Sequence, residues 1–187
     1  MNPILIISGI AALLLLNKKK ATAAGNGTGT NGTTGAPDAP NVNPPDVAAA
    51  LRLGLQGVKA NYGTDVARNV ERIFRLETGN FSSGLFKKTN AAGMKAFKPS
   101  YPFGWKARGT SPQDYAPVVT MAENAGGAPV QWVVFRQLPT ALLYLGGFLA
   151  DNANNGGRWN STDPAMQAAY VAKLNNMSTS ITDSLGG

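Results

Sequence analysis

Hydrophobic residues follow a helical spacing most clearly over residues 64–78, where Val66, Val70 and Ile73 form one apolar stripe and Gly79 ends the segment. Three further helices are predicted. The first, at 47–60, is rich in Ala and Leu and follows Asp46 as a possible cap; the second, at 140–150, is apolar. The third, at 164–175, begins with Pro164 directly after the capping residue Asp163. Two runs rich in β-branched residues, 117–123 and 129–135, flank a short turn and predict a hairpin. The chain is therefore expected to be mainly α (α+β), with a small β-hairpin lobe.

The first 46 residues differ from the rest in their polar pattern. Residues 3–16 are apolar except for Ser8, and three lysines follow at 18–20. This order predicts an uncleaved membrane anchor over residues 1–20, with the lysines and the chain after them on the cytoplasmic side. Gly, Thr, Asn and Pro dominate residues 21–46 and predict a flexible linker. A folded domain is expected over residues 47–187.

The amino-acid composition limits the catalytic groups that the chain can use. The chain contains no His and no Cys, so histidine bases, thiol nucleophiles and most zinc sites are excluded, whereas ten carboxylic side chains remain for proton transfer. These acids are scattered, so neither a metal site nor a cofactor is expected. The net charge of +7 suggests an anionic partner, and no acid falls between Glu77 and Asp114 among six bases, Lys87, Lys88, Lys95, Lys98, Lys106 and Arg108.

Glu77 has the most informative position among the acids. It lies four residues after Ile73, so the apolar stripe continues into a carboxyl group at the C-terminal end of a helix, whereas Glu71 lies off the stripe and is expected in solvent. Burial and the negative end of the helix dipole would both raise the pKa of Glu77, as a general acid requires. The alternative is a structural Glu paired with Arg72 or Arg75.

An ordered set of short motifs accompanies Glu77. Glu77-Thr78-Gly79 is followed by a small-residue turn at 81–85, the segment 89–95 with Gly93 and Lys95, a strand ending in Phe135-Arg136, and a helix containing Tyr170. This set resembles the endo-β-N-acetylglucosaminidases, the flagellar-muramidase type of peptidoglycan hydrolase. The resemblance covers residues 66–174 and implies a lysozyme-like fold, with Glu77 as the catalytic acid. Ala91 and Ala92 depart from the family's usual Asn-Asn-Leu-Phe-Gly pattern.

The resemblance also implies further site residues. A second acid is expected in the β-lobe, with Glu123 preferred over Asp114, and Tyr170 is expected to point into the cleft. Tyr170 could instead pack in the core. Asn90 and three aromatic residues of the loop after the Glu77 helix are candidates for sugar binding, although the aromatic residues could also form a small core of their own: Tyr101, Phe103 and Trp105.

The expected function is therefore a membrane-anchored enzyme that cleaves the glycan strand of peptidoglycan, as a hydrolase or as a lytic transglycosylase. The alternative is a non-catalytic structural or wall-binding protein with the same fold. Nucleic acid is not expected as a partner, because no nucleic-acid-binding fold accompanies the basic loop. The expected contacts are the glycan, a lipid membrane through residues 3–16, and capsid or membrane proteins of a virion. A virion with an internal membrane would explain an uncleaved anchor; a bacterial inner membrane with a periplasmic domain is the alternative location.

Overall fold

A computed structural model of the chain describes residues 44–96, 108–123 and 126–186, all within one compact unit. The described part is mainly helical with one two-stranded antiparallel sheet, as predicted. Its helices, numbered in chain order, are α1 Pro44–Tyr62, α2 Thr64–Thr78, α3 Gly84–Thr89, α4 Leu138–Asp151, α5 Gly157–Asn160, α6 Pro164–Leu174 and α7 Ser180–Asp183. The strands are β1 Tyr115–Ala122 and β2 Pro129–Phe135, and a 3-10 turn at Pro112–Asp114 precedes them.

The long helices α1, α2 and α4 enclose the core. Most of their buried side chains are aliphatic, and six of these are fully inaccessible to solvent: Leu55, Val58, Val70, Ile73, Leu142 and Leu149. Helices α1 and α4 approach closely at Gly54, where a Cβ atom would fall 2.3 Å from Leu142 Cδ1 and 2.9 Å from the Pro139 Cα atom. A larger residue at position 54 would therefore push apart two of the helices that form the core.

The hairpin is joined to the helical part at its base. Tyr115 and Phe135 face each other at the open end of the hairpin, with ring centroids 4.8 Å apart, and Phe135 lies 5.9 Å from the Tyr144 ring of α4. These aromatic contacts bury the start of β1 and the end of β2. The tip of the hairpin is exposed, so the sheet forms a small lobe at the edge of the helical domain.

Residues 94–96 pair with the free edge of β2. The Val133 N–H donates to the Met94 carbonyl and the Ala96 N–H donates to the Gln131 carbonyl, each at 2.8 Å, around a bridge between Lys95 and Trp132. β2 therefore has hydrogen-bonded neighbours on both sides. This pairing fixes the segment that follows α3 against the β-lobe.

The predicted membrane localisation is corrected. Within residues 44–96, 108–123 and 126–186, no helix combines the length and the apolar character that a bilayer crossing requires. The predicted anchor at 3–16 and most of the predicted linker lie outside the described residues. The part of the chain that the structure describes thus gives no support to a single-pass anchor.

Candidate active site

Glu77 lies in the last turn of α2, where the helix ends in a tight left-handed turn. Gly79 caps the helix, and its N–H donates to the Arg75 carbonyl. The buried Thr78 hydroxyl donates to the Phe74 carbonyl and accepts the Phe81 N–H at 2.8 Å. The Glu-Thr-Gly sequence thus has a local reason: the threonine holds the chain reversal and the glycine accommodates it.

Glu77 remains accessible to solvent, although protein surrounds much of its carboxyl group. Burial raises the pKa of Glu77, and the hydrogen bond from Tyr170 and the charge of Lys173 oppose this rise. The direction agrees with the sequence-based expectation. Among the described residues, no base forms an ion pair with Glu77: Arg75 binds Glu71, and Arg72 donates to the Asn69 side chain.

Tyr170 approaches Glu77 from α6, whose N-terminus is fixed by the Asp163 side chain as predicted. The Tyr170 hydroxyl donates to Glu77 Oε1 at 2.5 Å. Burial, the carboxyl charge and this hydrogen bond all raise the pKa of Tyr170, so the phenol stays protonated and acts as a donor. Lys173, one turn later on α6, was not among the predicted site residues. Because residues three apart are neighbours on a helix surface, Lys173 lies beside Tyr170.

The other carboxyl oxygen of Glu77 faces the segment after α3. A Cβ atom on Gly93 would come within 3.3 Å of Glu77 Oε2, and Gly93 has a φ of +68°. Glycine is required here for both reasons, because L-residues disfavour this φ and a side chain would crowd the carboxyl group. The two oxygens therefore differ: Oε1 accepts a hydrogen bond from Tyr170, and Oε2 lies beside a backbone without a side chain.

Three hydrogen bonds hold the segment that carries Gly93. The Asn90 side chain donates to the Phe135 carbonyl at 2.9 Å, the Ala91 N–H donates to the Thr89 hydroxyl at 3.2 Å, and the Trp159 indole donates to the Ala92 carbonyl at 3.0 Å. Asn90 is 3% exposed and adopts a left-handed conformation. The Asn90 side chain therefore attaches the segment 89–95 to β2. It is buried in the protein and, contrary to the prediction, is not placed to bind a sugar.

Ala91 and Ala92, the two departures from the family pattern, are buried in the core. They line an apolar hollow together with Phe74, Met94, Phe135, Ala141, Tyr144, Leu145 and Trp159. The two small side chains thus affect the packing of the core under this loop, whereas Gly93 adjoins the Glu77 carboxyl group.

Glu123 directly follows β1, at the tip of the hairpin. Its carboxylate forms a 2.8 Å ion pair with Lys95, two residues after Gly93, and the side chain is 48% exposed. The Lys95 ammonium also lies 5.8 Å from the centre of the Trp132 ring. Asp114 is engaged elsewhere, because its carboxylate accepts the N–H and hydroxyl of Ser111.

The remaining predicted residues lie outside the described residues or contact other groups. Tyr101, Phe103 and Trp105 lie outside the described residues, as do Lys98 and Lys106. Arg108 lies at the edge of that segment, where its guanidinium donates to Asp151 and to the Tyr144 hydroxyl. Within the described part of the chain, no group of three or more acidic side chains is placed to hold a metal ion.

Comparison of the chain with protein-family models, with curated proteins and with solved structures found no match. The resemblance to the peptidoglycan hydrolases thus rests on the motifs alone. The function has to be argued from the geometry around Glu77.

Proposed function

We propose that the domain cleaves glycosidic bonds in the glycan strand of peptidoglycan, with Glu77 as the general acid. The observation that carries this proposal is the state of the Glu77 carboxyl group: it is accessible, it has no ion-pair partner among the described residues, burial raises its pKa, and a buried tyrosine hydroxyl orients it. A raised pKa increases the fraction of the carboxyl group that carries a proton at a given pH, and this proton can pass to a leaving oxygen.

The two carboxyl oxygens take different parts in the proposed step. The Tyr170 hydroxyl donates to Oε1, so the transferable proton is assigned to Oε2, beside Gly93. This proton passes to the glycosidic oxygen as the bond to the anomeric carbon breaks, and that carbon becomes cationic. The resulting carboxylate is stabilised by Tyr170 and Lys173. The proton assignment follows from hydrogen bonding, since no hydrogen positions are observed.

The cationic carbon is then captured by water in a hydrolase, or by a hydroxyl group of the same sugar in a lytic transglycosylase. The proton that the attacking group loses returns to the Glu77 carboxylate, which restores the acid. Glu123 is the proposed support for this carbon, because it adjoins the site loop through Lys95. The products distinguish the two reactions: hydrolysis leaves a reducing end, and transglycosylation leaves an anhydro sugar. The basic surface suits a substrate that carries the carboxylates of wall peptides.

The test uses purified peptidoglycan and separation of the soluble muropeptides. The wild-type protein should release glycan fragments, and Glu77→Gln should lower the rate at least about a hundredfold, because one positioned general acid contributes about 10²- to 10⁴-fold. The matched control is Asp65→Asn, which removes a largely exposed carboxylate from the first turn of the same helix. Retained cleavage by Glu77→Gln would refute the role of Glu77.

The non-catalytic alternative predicts a different result in the same assay. A wall-binding protein would sediment with peptidoglycan without releasing fragments, and Glu77→Gln would leave this binding unchanged. The arginine pairing expected for a purely structural Glu77 belongs to Glu71 instead, which favours the catalytic proposal.

A further inference from the structure

The turn that follows Glu77 adopts a strained backbone. Gly79, Asn80 and Phe81 have φ values of 55°, 53° and 66°, so three successive residues are left-handed and two of them carry side chains. Left-handed residues with a Cβ atom persist only where their surroundings determine them, and they concentrate at functional sites.

Arg75 contacts every residue of this turn. Its carbonyl accepts the N–H groups of Gly79 and Asn80, the latter at 2.9 Å. Its guanidinium donates to the Asn80 side-chain oxygen at 3.4 Å and lies 5.3 Å from the centre of the Phe81 ring. One side chain and its own carbonyl therefore hold the three left-handed residues.

The guanidinium of Arg75 is itself held by Glu71 on the same helix and by the C-terminal segment. It donates to Glu71 Oε1 through Nε at 3.0 Å and through Nη2 at 2.7 Å, and Nη2 also donates to the Ser180 hydroxyl at 3.2 Å. The same Glu71 carboxylate accepts the N–H groups of Ile181 and Thr182. The C-terminal segment thus helps to determine the orientation of Arg75.

We propose that Arg75 is a positioning residue for Glu77: it holds the left-handed turn that ends α2 and so keeps the Glu77 carboxyl group between Tyr170 and Gly93. Its specific contacts require a planar guanidinium, because a lysine ammonium cannot reach Glu71, Asn80, Ser180 and the Phe81 ring together. This inference rests on the proposed role of Glu77 as an acid. It adds a residue that would touch no substrate.

The test measures the pKa of Glu77 by carboxyl-carbon NMR in the full chain, with cleavage of peptidoglycan as the second measurement. Arg75→Lys keeps a positive charge opposite Glu71 and is the variant expected to fold; Arg75→Met is the stronger perturbation. If the turn relaxes, Glu77 becomes better hydrated and its pKa falls towards the ordinary glutamate value, while Tyr170 and Lys173 still face it. Cleavage should fall about ten- to a hundredfold through kcat, with little change in KM.

The direction of the change in the Glu77 pKa distinguishes a loss of positioning from a loss of positive charge. Removing a nearby cation would raise the pKa of a carboxyl group, so a fall can only come from a changed position or hydration. Arg68→Met is the matched control, because Arg68 also lies on α2 and pairs with the C-terminal segment through Asp183, but contacts none of the turn. It should change neither measurement.

Two results would overturn the inference: an unchanged or raised Glu77 pKa in folded Arg75→Lys, or an equal fall in Arg68→Met. If the wild-type protein releases no muropeptides, the proposed function fails, while the pKa comparison still decides whether Arg75 positions Glu77.

Discussion

Replacing Glu71 by alanine should be among the most damaging single changes in α2, although the sequence pattern places this residue in solvent. The Glu71 side chain is fully buried. Its carboxylate accepts two hydrogen bonds from Arg75, one from the Ile181 N–H, and two from the N–H and hydroxyl of Thr182. These contacts attach the C-terminal segment to α2.

The expected cost follows from what the change leaves behind. The guanidinium of Arg75 is 15% exposed and loses its ion pair, and breaking a buried pair by removing one partner costs about 3–5 kcal/mol. Donors on Thr182, which is 1% exposed, also lose their acceptor. Glu71→Gln keeps an acceptor of similar shape but loses the charge, so its cost should be smaller, about 1.5–3 kcal/mol.

Urea unfolding followed by circular dichroism measures both costs. With a slope of about 2 kcal/mol per molar urea, Glu71→Ala should lower the midpoint by about 2 M. A double-mutant cycle with Arg75→Met should give a coupling energy above about 1 kcal/mol. The control is Glu77→Gln, which removes an accessible carboxyl group on the same helix. A cost of Glu71→Ala below about 1 kcal/mol, or no greater than that of the control, would refute the reasoning.

Three further predictions concern the site itself. Tyr170→Phe removes a hydrogen bond that favours the Glu77 carboxylate, so the pKa of Glu77 should rise and the alkaline limb of the pH–rate profile should move to higher pH; movement to lower pH would contradict this. Gly93→Ala introduces a Cβ atom at a φ of +68° and near Oε2, and should cost about 1 kcal/mol of stability and at least tenfold in cleavage; cleavage at the wild-type rate would show that the space beside Oε2 is not needed. Glu77→Gln should become more stable relative to wild type as pH rises from the unfolded-state pKa of Glu77 to its folded-state pKa, because the raised pKa makes the wild-type folded state lose stability over this range; below the unfolded-state pKa the difference should not change with pH. Thermal unfolding at a series of pH values measures the difference, and a variant that becomes less stable relative to wild type as pH rises would contradict the prediction.

Local signals predicted much of the secondary structure. The hairpin strands, the ends of α2 and the start of α6 follow from turn residues, a terminal glycine and the Asp-Pro pair, which act over a few residues. The short helices α3, α5 and α7 were not predicted. They span four to six residues, too few for a hydrophobic period to emerge, and their stability depends on packing against distant segments.

Only some of the residues around Glu77 were predicted, because many of their contacts also involve distant segments. Glu77 and Tyr170 were identified, and they meet across 93 positions of sequence. Asn90 was assigned to sugar binding, but its side chain serves the Phe135 carbonyl, a partner that only the fold brings near. The contacts of Gly93 with Glu77 and of Arg75 with the turn after α2 were not predicted, because both depend on the exact path of the backbone around the end of α2.

Glu71 and Glu77 show why periodicity alone could not distinguish a buried carboxylate from an accessible one. The apolar stripe of α2 continues into Glu77, but the helix ends at Thr78, so Glu77 lies at the accessible end of the stripe. A second face of α2, which contains Ala67, Glu71, Phe74 and Thr78 at helical spacing, is equally buried. That face is polar at Glu71 because a later segment supplies N–H and hydroxyl donors to it from residues 181 and 182. The environment of each carboxyl group therefore depends on what covers its face of the helix: N–H and hydroxyl donors from residues 181 and 182 enclose Glu71, whereas Glu77 lies at an open surface and accepts a hydrogen bond from Tyr170.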